Sequence, residues 1–480
     1  MIPRARGCEP STRTALCVAT LVSLLSGCAQ TLSEPMPAVR DTVSRVVPTT
    51  GSPIAFVGAS VVPMAGDGAL ADQTIVVDSG RIIARGPSSE VTIPPGTSAI
   101  DARGLWLAPG LVDFHTHEAA LPQWPDDVPR NFILMLANGI TSIVNMGDFT
   151  GRALAYRHAV DSGRIPGPNV YVGQFARGPG DGGTPVASTP ASGRAIVQGA
   201  MREGYDFIKN YDRVPRDAFD AMVAEGRPHN FRVMGHPLAS GLWHGLENGQ
   251  SMLAHAAAFY AGAFGSRIDD AAIPQVAARL RASGAAVTAT LHVYDVIAGL
   301  GLAAIAGDDL FARVLANEGT EYMDARAIIA WRQMLQERAD VRVARDSRAF
   351  VAFLQRCVKA FHDAGVPILT GTDEIGIPGV VPGFSIHGEL RLLHDAGLTS
   401  HQVLKTATSG AAAFIRETMR PHEQFGTVTV GARADLVMLA RDPRSDLATF
   451  RSPRGVMVAG RWYPGEWLRA RLDSLKQYRQ

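Results

Sequence analysis

Two histidines two residues apart, His115 and His117, close the apolar stretch Leu111-Val112-Asp113-Phe114. In an extended strand, residues i and i+2 point the same way, so both imidazoles face one side. Further along, Lys209 closes Asp206-Phe207-Ile208, His236 closes Arg232-Val233-Met234-Gly235, and His255 closes Ser251-Met252-Leu253-Ala254. Asp373 follows Pro367-Ile368-Leu369-Thr370-Gly371-Thr372. Imidazole nitrogens and a carboxylate suit Zn²⁺ and similar divalent ions. Lys209 is the odd member, because a protonated ammonium repels a cation. It fits the set if burial lowers its pKa and CO₂ carbamylates it, which turns it into a carboxylate able to bridge two ions.

The elements that must hold these residues follow an alternating pattern. Apolar strands separated by helical stretches are the sequence form of a parallel sheet with crossover helices. The strands just named supply five of them, from the first at Leu111 to the last around Ile368. Ser142-Ile143-Val144-Asn145, Asn169-Val170-Tyr171-Val172 and Ala286-Val287-Thr288-Ala289-Thr290 complete the series. With eight strands the sheet closes into an α/β (β/α)₈ TIM barrel, whose functional residues gather at the C-terminal strand ends. The long connection from Leu300 to Asp363 is rich in helix formers and is expected to shape access to the barrel mouth. Short strands separated by Gly, Asp and Pro lie before the barrel and return after it, in Asp435-Leu436-Val437-Met438-Leu439 and Arg454-Gly455-Val456-Met457-Val458. Both chain ends are therefore expected to form one small β-sandwich, residues 51–108 plus 421–470, around a barrel domain of residues 109–420.

Val112-Asp113-Phe114-His115-Thr116-His117, Phe207-Ile208-Lys209, His236, His255 and Gly371-Thr372-Asp373 resemble the amidohydrolase superfamily. More narrowly they are similar to its imidazolonepropionase-like, prolidase-related branch. The resemblance runs from about residue 54 to 470. It includes the return motif Gly431-Ala432-Arg433-Ala434-Asp435-Leu436-Val437 and the helix opening Phe384-Ser385-Ile386-His387-Gly388-Glu389-Leu390. It implies that His115, His117 and Asp373 hold a first metal, that His236 and His255 hold a second, and that carbamylated Lys209 bridges both. It implies hydrolysis of a carbon–nitrogen bond by a bridging hydroxide, since a bound metal brings the pKa of water to about 7. Asp373 then acts as the catalytic acid/base. The implied substrate is a small-molecule amide such as an Xaa-Pro or other dipeptide or an N-acyl amino acid. Zinc is the default ion; manganese or cobalt suit the same ligands. The alternatives are a one-metal deaminase or cyclic-amidine hydrolase on the same fold, and a non-catalytic surface lipoprotein.

Three residues are weighed as substrate contacts: Tyr211, two positions past Lys209 and so on its side; His292, past the seventh strand; and His387. Relatives often carry a histidine in the loop after strand three, but Gly178-Pro179-Gly180-Asp181-Gly182-Gly183-Thr184 has none. No Gly-Lys-Ser/Thr follows, so the loop is not a phosphate cradle.

Arg4, Arg6 and Arg13 precede the apolar run Ala15 to Leu25, which ends in Leu25-Ser26-Gly27-Cys28. That run has the length of a signal-peptide core and is short for a membrane span. It resembles a lipoprotein signal, residues 1–28, with Cys28 as the lipidated residue and residues 29–50 as a flexible tether. Ala29 after Cys28 favours the outer membrane, with the protein facing the periplasm; without lipidation it would be periplasmic or secreted. Only Cys357 then remains in the folded body, so no internal disulfide is expected. A formal net charge of +1 without a Lys/Arg-rich run argues against nucleic-acid binding. The expected membrane contact is through the N-terminal lipid alone, and the resemblance is compatible with a homo-oligomer.

Overall fold

The computed structural model describes residues 52–119, 127–148, 150–180, 185–337, 347–374 and 376–476. The expected signal, Cys28 and the tether lie outside the described residues. The chain opens with β1 (Ile54–Val61), β2 (Leu70–Asp78), β3 (Arg81–Pro87), β4 (Ser98–Asp101) and β5 (Trp106–Pro109). Eight strands follow: β6 (Leu111–Thr116), β7 (Ile140–Asp148), β8 (Asn169–Ala176), β9 (Phe207–Asn210), β10 (Val233–Gly235), β11 (Gln250–Ala254), β12 (Ala286–Thr288) and β13 (Ile368–Leu369). They pair in sequence order, each parallel to the next. The ends close on each other: Phe114 N donates to Thr370 O at 2.8 Å and Asp373 N to His115 O at 2.7 Å. This is the expected (β/α)₈ barrel.

The sequence builds it by alternation. Val112, Phe114, Val144, Met146, Tyr171, Phe207, Met234, Met252 and Leu369 pack together in one cluster. Their neighbours Leu111, Ile143, Val172, Ile208, Val233, Leu253, Val287 and Ile368 belong to another cluster, shared with the helices. Alternate residues of a strand point to opposite faces, so one set fills the barrel and the other faces the helical ring. Both faces being covered explains why the strands read as nearly unbroken apolar runs. The helix Ser347–Asp363 shows the complementary pattern: Val351, Leu354, Val358 and Phe361 are buried at helical spacing. Each fully buried side chain of this kind contributes roughly 1.5–3 kcal/mol. Between β12 and β13 the described residues hold that helix and the helices Leu291–Ala306, Leu310–Leu315 and Ala325–Glu337.

The chain returns through β14 (Leu436–Leu439), β15 (Gly455–Val458) and β16 (Arg461–Pro464). β1 is shared: residues 54–57 pair with β4, while Ser60 and Val61 pair with β5. One arm runs β4-β1-β2-β3 and the other β16-β15-β14-β5-β1. Phe56, Ile75, Val77 and Ile82 from the first meet Leu107, Leu436, Met457 and Trp462 from the second over one core. The two chain ends thus form a separate β unit. Asp435 fixes it to the barrel: its side chain accepts from Asn169 Nδ2 (3.2 Å) and Arg433 Nε (2.7 Å), and its carbonyl from Gly110 N (3.0 Å). Among the described residues, no helix is long and apolar enough to cross a membrane.

Candidate metal centre

His115 and His117, at the end of β6, do face one side. Their Nε2 atoms reach the same carboxylate oxygen, Asp373 Oδ1, at 3.2 and 3.0 Å. His236 follows β10 and His255 follows β11; their Nε2 atoms are 3.1 Å apart. The two pairs are one cluster, since the His115 and His255 rings have centroids 4.8 Å apart and His255 Nδ1 is 3.9 Å from Asp373 Oδ2. His115, His255 and Asp373 offer ligand atoms that all lie within 4.8 Å of one another.

Neighbouring groups aim these ligands. His236 Nδ1 is 2.8 Å from Asp212 Oδ1, and His255 Nδ1 is 2.9 Å from Thr290 Oγ1. A proton held on Nδ1 by Asp212 leaves His236 Nε2 with a lone pair directed at the cluster. His115 N and Thr372 N both donate to Asp113 Oδ1, and Thr372 Oγ1 donates to Oδ2 at 2.7 Å. His255, Thr290 and Asp373 all adopt left-handed backbone, at φ 70°, 48° and 57°. Such conformations cost about 1–3 kcal/mol each and are held only where the surroundings over-determine them.

Lys209 sits in the same interior, fully buried, and its Nζ has no hydrogen-bond partner among the described residues. Gly235, at φ 131°, makes room for it: a Cβ there would meet Asn210 O at 2.4 Å and Lys209 Cδ at 2.7 Å. Burial pushes the Lys209 ammonium down from 10.5 to about 8. Burial also keeps His115, His236 and His255 neutral, the last lowered to about 3, with the Lys209 charge acting in the same direction on all three. Burial alone would raise Asp373, but His255, His117 and Lys209 outweigh it and hold the group as a carboxylate. The donor chemistry fits divalent cations: neutral imidazoles, one ionised carboxylate, and a buried amine with no hydrogen-bond partner among the described residues, all converging.

The remaining expected contacts separate. Tyr211 belongs to the site, its ring 4.6 Å from that of His236. His292 and His387, weighed as substrate contacts, have other partners. The main-chain N of His292 donates to Glu389 Oε2 at 2.7 Å, and its ring borders a separate cavity. His387 Nε2 is 2.8 Å from Asn138 Oδ1 at the end of the helix Val128–Ala137. Of the loop after β8, Asp181 to Thr184 lie outside the described residues. Sequence reasoning missed Asp212, Thr290 and Arg177. Arg177 is buried, and its guanidinium stands over the rings of Phe175 (5.1 Å) and Tyr211 (5.4 Å). Asp212 had a faint signal, lying three residues past Lys209; the other two had none.

Known proteins carry the same themes. Over 80 residues, 16% of this chain, it is 39% identical to the N-acyl-D-aspartate deacylase of Alcaligenes xylosoxydans xylosoxydans, of which 14% is covered. Over 72 residues, 15% of this chain, it is 36% identical to the imidazolonepropionase of Caulobacter sp. (strain K31), of which 17% is covered. The chain thus spans less than a fifth of the length of these curated relatives. A solved Xaa-Pro dipeptidase with bound methionine in the active site superposes with a TM-score of 0.63, covering 86% of this chain and 100% of that one at 17% identity, which is a likeness of fold. Residues 284–463, which carry the last two barrel strands, Asp373 and the return into the end sheet, match the Amidohydrolase family.

Proposed function

We propose that this protein is a binuclear metal-dependent hydrolase of an amide bond in a small molecule, such as an Xaa-Pro or other dipeptide or an N-acyl amino acid. The observation that carries the reading is Lys209: a fully buried amine, with no hydrogen-bond partner among the described residues, set among histidines that burial keeps neutral. As a carbamate it becomes an anion suited to two cations. His115, His117 and Asp373 would hold one ion, His236 and His255 the other, with Lys209 shared. Bound divalent ions, zinc by default, would acidify a water and polarise the substrate carbonyl.

The protein's own groups supply the rest. Asp373, held ionised, is suited to take a proton from the attacking water and pass it to the leaving nitrogen. Asp212 and Thr290 keep His236 and His255 in fixed orientations. Phe175 stacks on His117 and the Tyr211 ring lies tilted against His236, so the Arg177 guanidinium over both rings stands behind these two ligand candidates. That cation favours a substrate bearing a carboxylate, as dipeptides and N-acyl amino acids do.

A second reading, a one-metal deaminase or cyclic-amidine hydrolase, draws on the compact His115, His255, Asp373 group and on the imidazolonepropionase relative. A product assay separates the two. Metal-loaded protein is given dipeptides, N-acyl amino acids and cyclic amidines or aminopurines, and free amino acid and ammonia are scored separately. Amino acid without ammonia supports the amide hydrolase; ammonia alone moves the protein to the second reading.

A further inference from the structure

A cavity of about 310 Å³ opens beside the helix Leu291–Ala306, and none of the metal-competent residues lines it. The helix separates the two sites. Tyr294 turns toward the metal cluster, its ring 6.4 Å from that of His255. His292, Asp295 and Gly299, at spacings of three and four, form the opposite face and border the cavity.

The wall is cationic. Arg313, Arg348, Arg391 and Arg451 reach it from four different segments, against two lining carboxylates, Asp295 and Glu318. Arg348 and Arg391 share Asp295. Arg391 also pairs with Asp395 at 2.9 Å, Arg451 with Glu318, and Arg313 with Asp308 at the long distance of 3.9 Å. Each guanidinium carries five N–H donors, so one or two contacts leave donors over. His292 is half-buried, and its Nδ1 is shielded from solvent with no hydrogen-bond partner among the described residues. Gly388 is required there, since a Cβ would meet that Nδ1 at 2.3 Å.

We propose that this cavity binds a small polyanion, a molecule carrying two or more carboxylate or phosphate groups. Guanidinium forks from separate segments can grip separate anionic groups, which a single charge would not require. The volume is at the lower end of small-ligand pockets.

Calorimetry on the metal-stripped full chain tests this, because citrate and pyrophosphate would otherwise chelate the ions; both are titrated at constant ionic strength with chloride as the control. Saturable binding is expected, weakened about tenfold when Arg348→Gln and Arg391→Gln are combined, as loss of charge-assisted contacts implies. Asp295→Asn keeps the side-chain volume, removes the carboxylate the two arginines share, and is expected to tighten binding several-fold. That rise keeps the test valid if the double variant fails to fold. Preference for citrate assigns carboxylates and preference for pyrophosphate assigns phosphates; either upholds the site. Heats no greater than those of chloride, or equal affinities in the wild type and the variants, would overturn it. Binding is read directly, so the result does not depend on what the metal cluster hydrolyses.

Discussion

Lys209→Met should make the metal-stripped protein more stable while abolishing its activity. In the metal-free fold the Lys209 ammonium is fully buried, has no hydrogen-bond partner among the described residues, and titrates at about 8 instead of 10.5. Each tenfold change in proton affinity is worth about 1.4 kcal/mol, so the charged form costs the native state about 3 kcal/mol. The unfolded chain binds this proton more tightly than the folded one. The penalty is therefore present in full below pH 8 and fades as pH rises toward 10.5. Methionine fills similar volume with no charge to bury. Urea denaturation in the presence of a chelator, run at pH 7 and again near pH 10, measures the difference. The variant should gain about 3 kcal/mol at pH 7 and much less at the higher pH. If Lys209 forms the proposed carbamate, restoring metal and bicarbonate reverses the order, because methionine has no amine to carbamylate. A metal-free variant less stable than the wild type at pH 7 would refute the account of Lys209 as an amine whose burial outweighs the attraction of Asp373 and Asp212.

Three further outcomes follow from other residues. Asp212→Ala frees the His236 ring and should lower metal affinity about 10–100-fold with little change in the fold, read by chelator competition. Arg433→Ala leaves the buried Asp435 carboxylate without its guanidinium at the junction of sheet and barrel, and should cost about 3–5 kcal/mol in chemical denaturation. Cys28→Ala should move the protein from the membrane to the soluble periplasmic fraction; a protein that stays with the membrane would end the lipoprotein reading.

Much of the fold was legible because parallel strands buried on both faces announce themselves as apolar runs, and their ends as polar stops. His115 and His117 were legible for the simplest reason: a period of two fixes their direction. The residues that orient the cluster were not. Thr290 meets His255 across 35 positions of sequence, and only because Thr290 takes a left-handed turn that a β-branched residue rarely adopts. Nothing local encodes that pairing. The face that His292 takes was not legible, because residue type says nothing about helix face: it lies two positions from Tyr294, and that step turns a helix to its opposite side. Tyr294, which sequence reasoning passed over, is the one that faces the metal cluster.

The position of the cluster also explains why the same short motif must close the barrel. Asp113 lies two residues before His115 and binds Thr372, one residue before Asp373. The first and last strands, which have no sequential neighbour to pair with, are thus joined by a carboxyl group flanked by ligand candidates on both sides. Burial raises that group to about 7 against the hydrogen bonds that favour its charge. His115 O accepts from Asp373 N at the same seam, and Asp373 turns left-handed there, which carries its carboxylate back to within 3.2 Å of His115 and 3.0 Å of His117. A barrel open at this seam would separate His115 and His117 from Asp373, and so would lack half the donor set. Metal affinity and barrel closure would therefore be linked: an ion bound at this cluster would stabilise the closed sheet by mass action, and whatever loosens the seam would weaken the site.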